Sequence, residues 1–454
     1  DGRSVPTQLI GEENGAQKIL FLAAVTSVGY SVYDARLVAN VGQETNVRVT
    51  ESSLENYRFR IRLNSDGDVA SIFDKQLNRE LLSAPIRLAI KNDTPAQWPA
   101  WNMDWADQQK PPRAYVSGPA KIRVVETGPV RVAIEVVRET EGSQFQQTVR
   151  LSEGNRIEFS NVIDWKTPNA NLKATFPFTA ANDKATYNWD VGTIERGNND
   201  ERKFEVPSHQ WFDLTDRSGT FGVSVLSDCK YGSDKPDDNT LRLTLLRTPG
   251  IGPRAGYADQ SSQDWGHHEF VYALWPHDLD WRGAQTYWAA QQLNQPPIAF
   301  ESSKHPGRLG KTFSILREDP RFRVLALKKA EDSDEVVVRI VELNGREAPS
   351  VDLAFAAPVI AAREVDAQEH PVGPATVKFG KVVTSLGKYQ LRTFAVKFAK
   401  PREAVLQSQP IQLPYNLAVA DRDGERMKAG FDGEGYALPA EMLPRTLMFG
   451  GVTF

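Results

Sequence analysis

The sequence predicts an all-β chain, with one large antiparallel super-sandwich flanked by smaller β-sandwich units. Three observations carry that prediction. Apolar and polar residues alternate with period two over most of the chain, as in Tyr57-Arg58-Phe59-Arg60-Ile61-Arg62-Leu63. That is the pattern of a strand with one buried face. Turn signals such as Gly128-Pro129, Glu141-Gly142 and Glu153-Gly154 break the alternation at short intervals. Helical periodicity is confined to GAQTYWAAQQLN at residues 283–294, where Ala284, Tyr287, Trp288 and Gln291 recur on one face and Pro296-Pro297 ends the run.

The elements follow in order. Residues 1–50 read as short strands: KILFLAAV at 18–25 as a buried strand, then Gly29-Tyr30-Ser31-Val32-Tyr33 alternating into the next. Residues 51–300 make the large unit. Asn64-Ser65-Asp66-Gly67-Asp68 turns the strand at 57–63 back into a hairpin partner at 69–73. Segments 121–125, 130–138, 144–151 and 156–165 continue as a meander. Residues 301–400 make a second sandwich, with strands at 324–328, 335–342, 351–355, 362–365 and 391–398 among prolines 349, 358, 371 and 374. Residues 401–454 begin something new.

Composition bounds the function. The 454 residues give room for several domains. Their 54 basic and 58 acidic side chains leave a net charge of −4, which excludes the basic footprint of a nucleic-acid binder. No apolar run reaches membrane-spanning length. Neither nucleic acid nor a membrane is therefore an expected partner. The single cysteine, Cys229, excludes an internal disulfide and fits a reducing, cytoplasmic compartment. The chain opens Asp-Gly-Arg-Ser without Met, so its start is read as a cut and no targeting signal is visible.

Two loops of the large unit carry candidate chemistry. Trp98, Trp101 and Trp105 cluster with Asn102, Asp104 and Asp107 among Pro95, Pro99, Pro111 and Pro112. Indole faces stack on sugar C–H faces, and nearby acids and amides bind hydroxyls, which is what a saccharide pocket needs. The alternative is core packing, but a proline-marked loop is a poor place for it. The second loop, 228–239, lies between two strands read as buried. In one, Phe221, Val223 and Val225 alternate with Gly222 and Ser224; in the other, Leu241, Leu243 and Leu245 alternate with Arg242 and Thr244. A charged loop on a rigid sheet is a candidate binding surface, with Asp228, Lys230 and Tyr231 as its polar rim. The alternative is a solvated hairpin end with an ion pair worth about 0–1 kcal/mol. His267-His268-Glu269 suggests metal or acid–base work. Adjacent strand residues point to opposite faces, however, so strand-edge hydrogen bonding is favoured, as for His209. Cys229 reads as a packed thiol.

Several long motifs agree in sequence and order with one family. VPSHQWFDL, FGVSVLSDCKYG and LRLTLLRTP within 206–249, WNMDWADQQKPP at 101–112, GHHEFVYALWPH at 266–277 and LALKKAEDSDEVVVRIVELNG at 325–345 resemble the C-terminal β region of glycoside hydrolase family 38 α-mannosidases, of the bacterial and cytosolic-vacuolar type. The resemblance implies a galactose-mutarotase-like super-sandwich at 51–300. It makes residues 1–50 the end of a small β-sandwich lacking its opening strand, and 401–454 the start of a truncated jelly-roll module. It places Trp101, Asn102, Asp104, Asp228, Lys230, Tyr231 and Arg247 beside the sugar pocket, α-mannosides being the carbohydrate partner. Retaining hydrolysis needs a nucleophile and an acid carboxylate, and the family also binds zinc. The resemblance puts all of these in an N-terminal catalytic barrel whose motifs have no match here. No catalytic residue, metal ligand or cofactor is therefore expected in this chain, which would wall the pocket and support the barrel. A self-contained mutarotase, epimerase or lyase using His209, His268 or Glu269, and a stand-alone carbohydrate-binding module, are the alternatives on the same scaffold.

Overall fold

The computed structural model describes residues 4–13, 15–36, 45–250, 263–299, 309–317 and 319–399, with Ser261, Ser302 and a short ladder pairing Met448–Phe449 with Val452–Thr453. The fold is nearly all β. Two compact units emerge. One comprises Asp1–Ala23 and Leu37–Pro296, the other Ala24–Arg36 and Pro297–Phe454.

The first unit rests on two sheets whose apolar faces meet. The nine-stranded antiparallel sheet has the spatial order Lys121–Thr127, Arg131–Thr140, Ser143–Ser152, Ile157–Trp165, Gly266–Asp278, Phe221–Ser227, Trp211–Thr215, Lys184–Trp189 and Gly192–Gly197. Its first four strands are the expected meander. Glu141 and Gly142 turn the central hairpin, both at positive φ (49° and 80°), as a twist-matched two-residue turn requires. The second sheet has six strands, ordered Ala114–Tyr115, Arg87–Asn92, Ala170–Pro177, Thr240–Thr248, Gly232–Asp234 and Val206–Pro207. Period-two alternation sends Leu88, Ile90, Leu172, Phe176, Leu241 and Leu243 of this sheet, and Val132, Ile134, Phe159, Tyr272 and Leu274 of the other, into one shared core. Phe59, Ile61 and Ile72 of a five-stranded sheet, Arg48–Glu80 in extent, join that core.

The helix runs Thr286–Asn294 and covers the outer face of the nine-stranded sheet, where Ala289 and Ala290 pack with Trp211, Leu226, Ala273 and Trp281. It starts later than the sequence pattern suggests because Gln285 sits at φ 53°, outside helical space. A buried polar chain pins it. Thr286 Oγ1 lies 2.9 Å from Ser224 Oγ, which donates to Asp213 at 2.8 Å, and His277 Nε2 lies 2.7 Å from the same carboxylate.

The second unit is a sandwich of a five-stranded sheet, ordered Phe322–Lys329, Val336–Glu342, Leu391–Phe398, Val359–Val365 and Pro371–Pro374, and a three-stranded one of Ala348–Leu353, Lys381–Leu386 and Thr376–Lys378. Val338, Ile340, Val351, Leu353, Val382 and Phe394 fill it. The first fifty residues are shared between units. Thr7–Glu13 and Ala16–Phe21 form a two-stranded ribbon in the first, and Gly29–Ser31 pairs with Thr312–Ser314 in the second. The strand expected to be buried at 18–25 is instead mostly exposed, Ile19 by 45%. Its only ladder partner among the described residues is Thr7–Glu13, whose apolar Leu9 is also exposed. The jelly-roll expectation for 401–454 lies outside the described residues, apart from the terminal ladder.

Candidate functional site

The outer face of the six-stranded sheet is polar and yet interior. Positions alternating with the core leucines carry Lys91, Asn171, Lys173, Arg242, Thr244 and Arg247. Lys91, Asn171 and Lys173 are at most 1% exposed. A register shift between Leu172 and Lys173 lets Leu245 and Leu246 both face the core, so Arg247 emerges on the polar face. Asp234 is the hub. It accepts from Lys173 at 2.8 Å, from Arg242 Nε at 3.0 Å and from Asn199 at 2.7 Å. Burial opposes its ionisation, but Lys173 and Arg242 outweigh that cost and hold its pKa down to about 2. Glu205 bridges Lys173 and Thr244.

The tryptophan loop, residues 93–112, closes over this face. Arg247 grips its root: Nε donates to Asp93 at 2.6 Å, Nη2 donates to the same carboxylate at 3.1 Å, and Nη2 also donates to the Asn102 carbonyl. Burial pushes the Asp93 pKa up despite Arg247. The loop's own polar groups brace it. Asp104 accepts from the Ala96 amide at 2.8 Å, Asp107 from the Thr94 amide at 3.1 Å, and the Asn102 side chain donates to the Gln97 carbonyl at 3.1 Å. Trp105 packs on Phe204 with ring centroids 5.4 Å apart. Trp98 and Trp101 are left in solvent, 59% and 80% exposed, with centroids 6.0 Å apart. Two neighbouring exposed indoles on a braced loop can stack on an apolar ligand face. The adjoining carbonyls and guanidinium can hydrogen-bond its hydroxyls.

Of the seven residues expected at the site, the structure brings together Trp101, Asn102, Asp104 and Arg247. Asp104 and the Asn102 side chain hold the loop rather than pointing free. The other three precede Gly232–Asp234, whose Ser233 pairs with Leu243 midway along Thr240–Thr248, and Asp228 itself bonds Val271 of the nine-stranded sheet. Asp228 accepts from the Val271 amide at 2.9 Å, and the Lys230 ammonium sits 4.6 Å from the Phe270 ring centroid. Phe270 belongs to the core between the sheets, so Lys230 turns towards that side, away from the polar face. Tyr231 is 56% exposed. The rest of the 228–239 segment corrects the sequence reading. Gly232–Asp234 is a strand, and Asp234 and Lys235 are 1% exposed, so these charges are interior rather than a binding rim.

Each histidine candidate has a local partner. His209 Nδ1 accepts from the Asp190 amide at 2.7 Å and its ring stacks on Trp189, His268 Nε2 meets the Asp264 carbonyl at 2.9 Å, and His267 meets Glu269 at 2.8 Å in solvent. Among the described residues no three His, Cys, Asp or Glu side chains are grouped as metal ligands. Cys229, read as a packed thiol, is exposed, and partial burial together with Asp228 raises its pKa to about 11. Sequence reasoning missed Lys91, Asn171 and Lys173. In RLAIKN and ANLKATFP they occupy the polar positions of an alternating strand, which locally look solvent-facing.

Comparison with known proteins gives the family. The family description "Glycosyl hydrolases family 38 C-terminal domain" matches residues 54–251, and "Glycosyl hydrolases family 38 C-terminal beta sandwich domain" matches 321–394. The chain belongs to the C-terminal region of glycosyl hydrolase family 38. Residues 407–454 match an AziU2-like β-sandwich domain. The chain is 29% identical over 381 residues to human alpha-mannosidase 2C1, which covers 80% of this chain and 35% of that protein. It is 29% identical over 313 residues to alpha-mannosidase G of Dictyostelium discoideum, covering 64% and 27%. It therefore spans about a third of the length of these relatives. A family 38 glycosyl hydrolase from Enterococcus faecalis has the same fold: TM-score 0.68 at 16% identity, covering 87% of this chain and 52% of that one.

Proposed function

We propose that this chain is the pocket-walling, non-catalytic C-terminal portion of a retaining α-mannosidase. The observation that carries the proposal is the pair of exposed indoles, Trp98 and Trp101, on a loop fixed to the sheet through Arg247 and Asp93. A hydrolase gains most from a wall that is already in place. Rigid stacking surfaces hold the sugar so that carboxylates supplied elsewhere meet the glycosidic bond at a productive angle. The kinship with alpha-mannosidases supports the substrate class. On this reading the nucleophile, the acid and the zinc belong to an N-terminal catalytic barrel.

The test is hydrolysis of an aryl α-mannoside by the full-length gene product, with the product anomer followed by NMR. Release of α-mannose supports the reading. Absence of turnover, or release of the β-anomer, refutes it. This chain purified alone is expected to give no turnover above a blank, and chelator-sensitive turnover by it would refute the non-catalytic assignment.

A further inference from the structure

We infer that Lys91 is the positioning residue of the tryptophan loop: its amine, buried beneath residues 93–112, latches the loop to the sheet and so sets where Trp98 and Trp101 stand. Lys91 lies on Arg87–Asn92, the strand that runs into the loop, yet it bonds the loop's far limb. Nζ donates to the Gln108 carbonyl at 2.9 Å and to the Lys110 carbonyl at 2.6 Å. The residue is 1% exposed, and both bonds run to main-chain carbonyls, to which the amine can donate with or without its charge. Gln108 cannot share the task through its side chain, because its Nε2 and Oε1 are buried without partners among the described residues. Asn171, directly opposite Lys91 in the ladder, reaches the loop only through a weak contact to Met103 Sδ at 3.7 Å. Arg247 fixes the near limb at Asp93 and Asn102, so one lysine and one arginine hold the two limbs.

The charge makes this latch sensitive to pH in a definite direction. Arg242 on Thr240–Thr248 and Lys173 on Ala170–Pro177 face Lys91 as like charges, against Asp234 on Gly232–Asp234 and Asp107 in the loop itself. Burial, then Arg242 and Lys173, lower its pKa to about 8. With the loop open, water reaches the amine while Arg242 and Lys173 stay beside it on the sheet, so it would titrate above about 8 but below its free value of about 10.4. The closed loop therefore binds fewer protons than the open one between those values, and rising pH across that window favours closure. The loop opens more readily below about pH 8, where the buried amine must carry its charge.

Only the consequence for sugar binding rests on the α-mannosidase reading. The latch is measured without any sugar, by hydrogen exchange of amides in residues 93–112 of this chain, corrected for base-catalysed intrinsic exchange. Lys91→Met should cut protection of the loop by about ten- to hundredfold while leaving Arg131–Trp165 unchanged. Wild-type loop protection should rise between pH 7 and 9.5, and that rise should vanish in Lys91→Met. Where Lys91→Met does not fold, Lys91→Arg decides, since it can still donate but does not titrate in this range; its loop protection should be flat with pH. Unchanged loop protection in Lys91→Met, an equal loss in loop and sheet, or a pH-dependent rise surviving in Lys91→Arg would overturn the proposal.

Discussion

A guanidinium that looks like a ligand contact can act one step back from the ligand. Arg247 has most of its donors on Asp93 and Asn102, so its effect on a sugar passes through the loop. Arg247→Lys keeps the charge but loses the two-pronged grip on Asp93. It should therefore weaken α-mannoside affinity of the full-length enzyme nearly as much as Arg247→Ala, which equilibrium titration would show. Asp234 makes a different prediction. Its carboxyl titrates near about 2 in the fold, below the unfolded value of about 3.9. The sign follows: its stabilisation is complete above about pH 4 and is lost as pH falls from there towards 2. Urea midpoints at pH 5 and pH 3 should converge between wild type and Asp234→Asn. At pH 5 the variant should be less stable by on the order of 3 kcal/mol, because Arg242 loses its buried partner.

At the scale of the element, how much of a strand is covered decides both its stability and how well it can be read. The ribbon of Thr7–Glu13 and Ala16–Phe21 has two strands and exposes Leu9 by 60%. Its amides should exchange orders of magnitude faster than those of the hairpin Arg131–Ser152, which lies within nine strands. Equal protection would show that the ribbon is covered. The strands of the meander were legible because alternation and turn residues are local properties, as Glu141-Gly142 shows. The burial of KILFLAAV was not, since an apolar run does not reveal whether a second layer exists to receive it. The polar face was illegible for the converse reason. Lys91 and Lys173 obey the solvent-face pattern, and only segments arriving from elsewhere make them interior, the 93–112 loop at Lys91 and Glu205 at Lys173. The tryptophan loop itself was legible, because prolines and three indoles are an unusual combination. That the Asp104 and Asn102 side chains brace the loop depends on the loop's path, which no spacing rule encodes.

At the scale of the molecule, the chain supplies two sheets around one core and an aromatic loop bonded to them through Lys91 and Arg247. The central claim is that the loop held by Arg247 is a wall of the mannoside pocket. The most direct test is kcat/KM of the full-length enzyme on an aryl α-mannoside, for wild type and Arg247→Ala, with thermal unfolding recorded alongside. The account predicts a fall of roughly one to three decades with little change in unfolding temperature. An unchanged kcat/KM in a folded Arg247→Ala enzyme would contradict it.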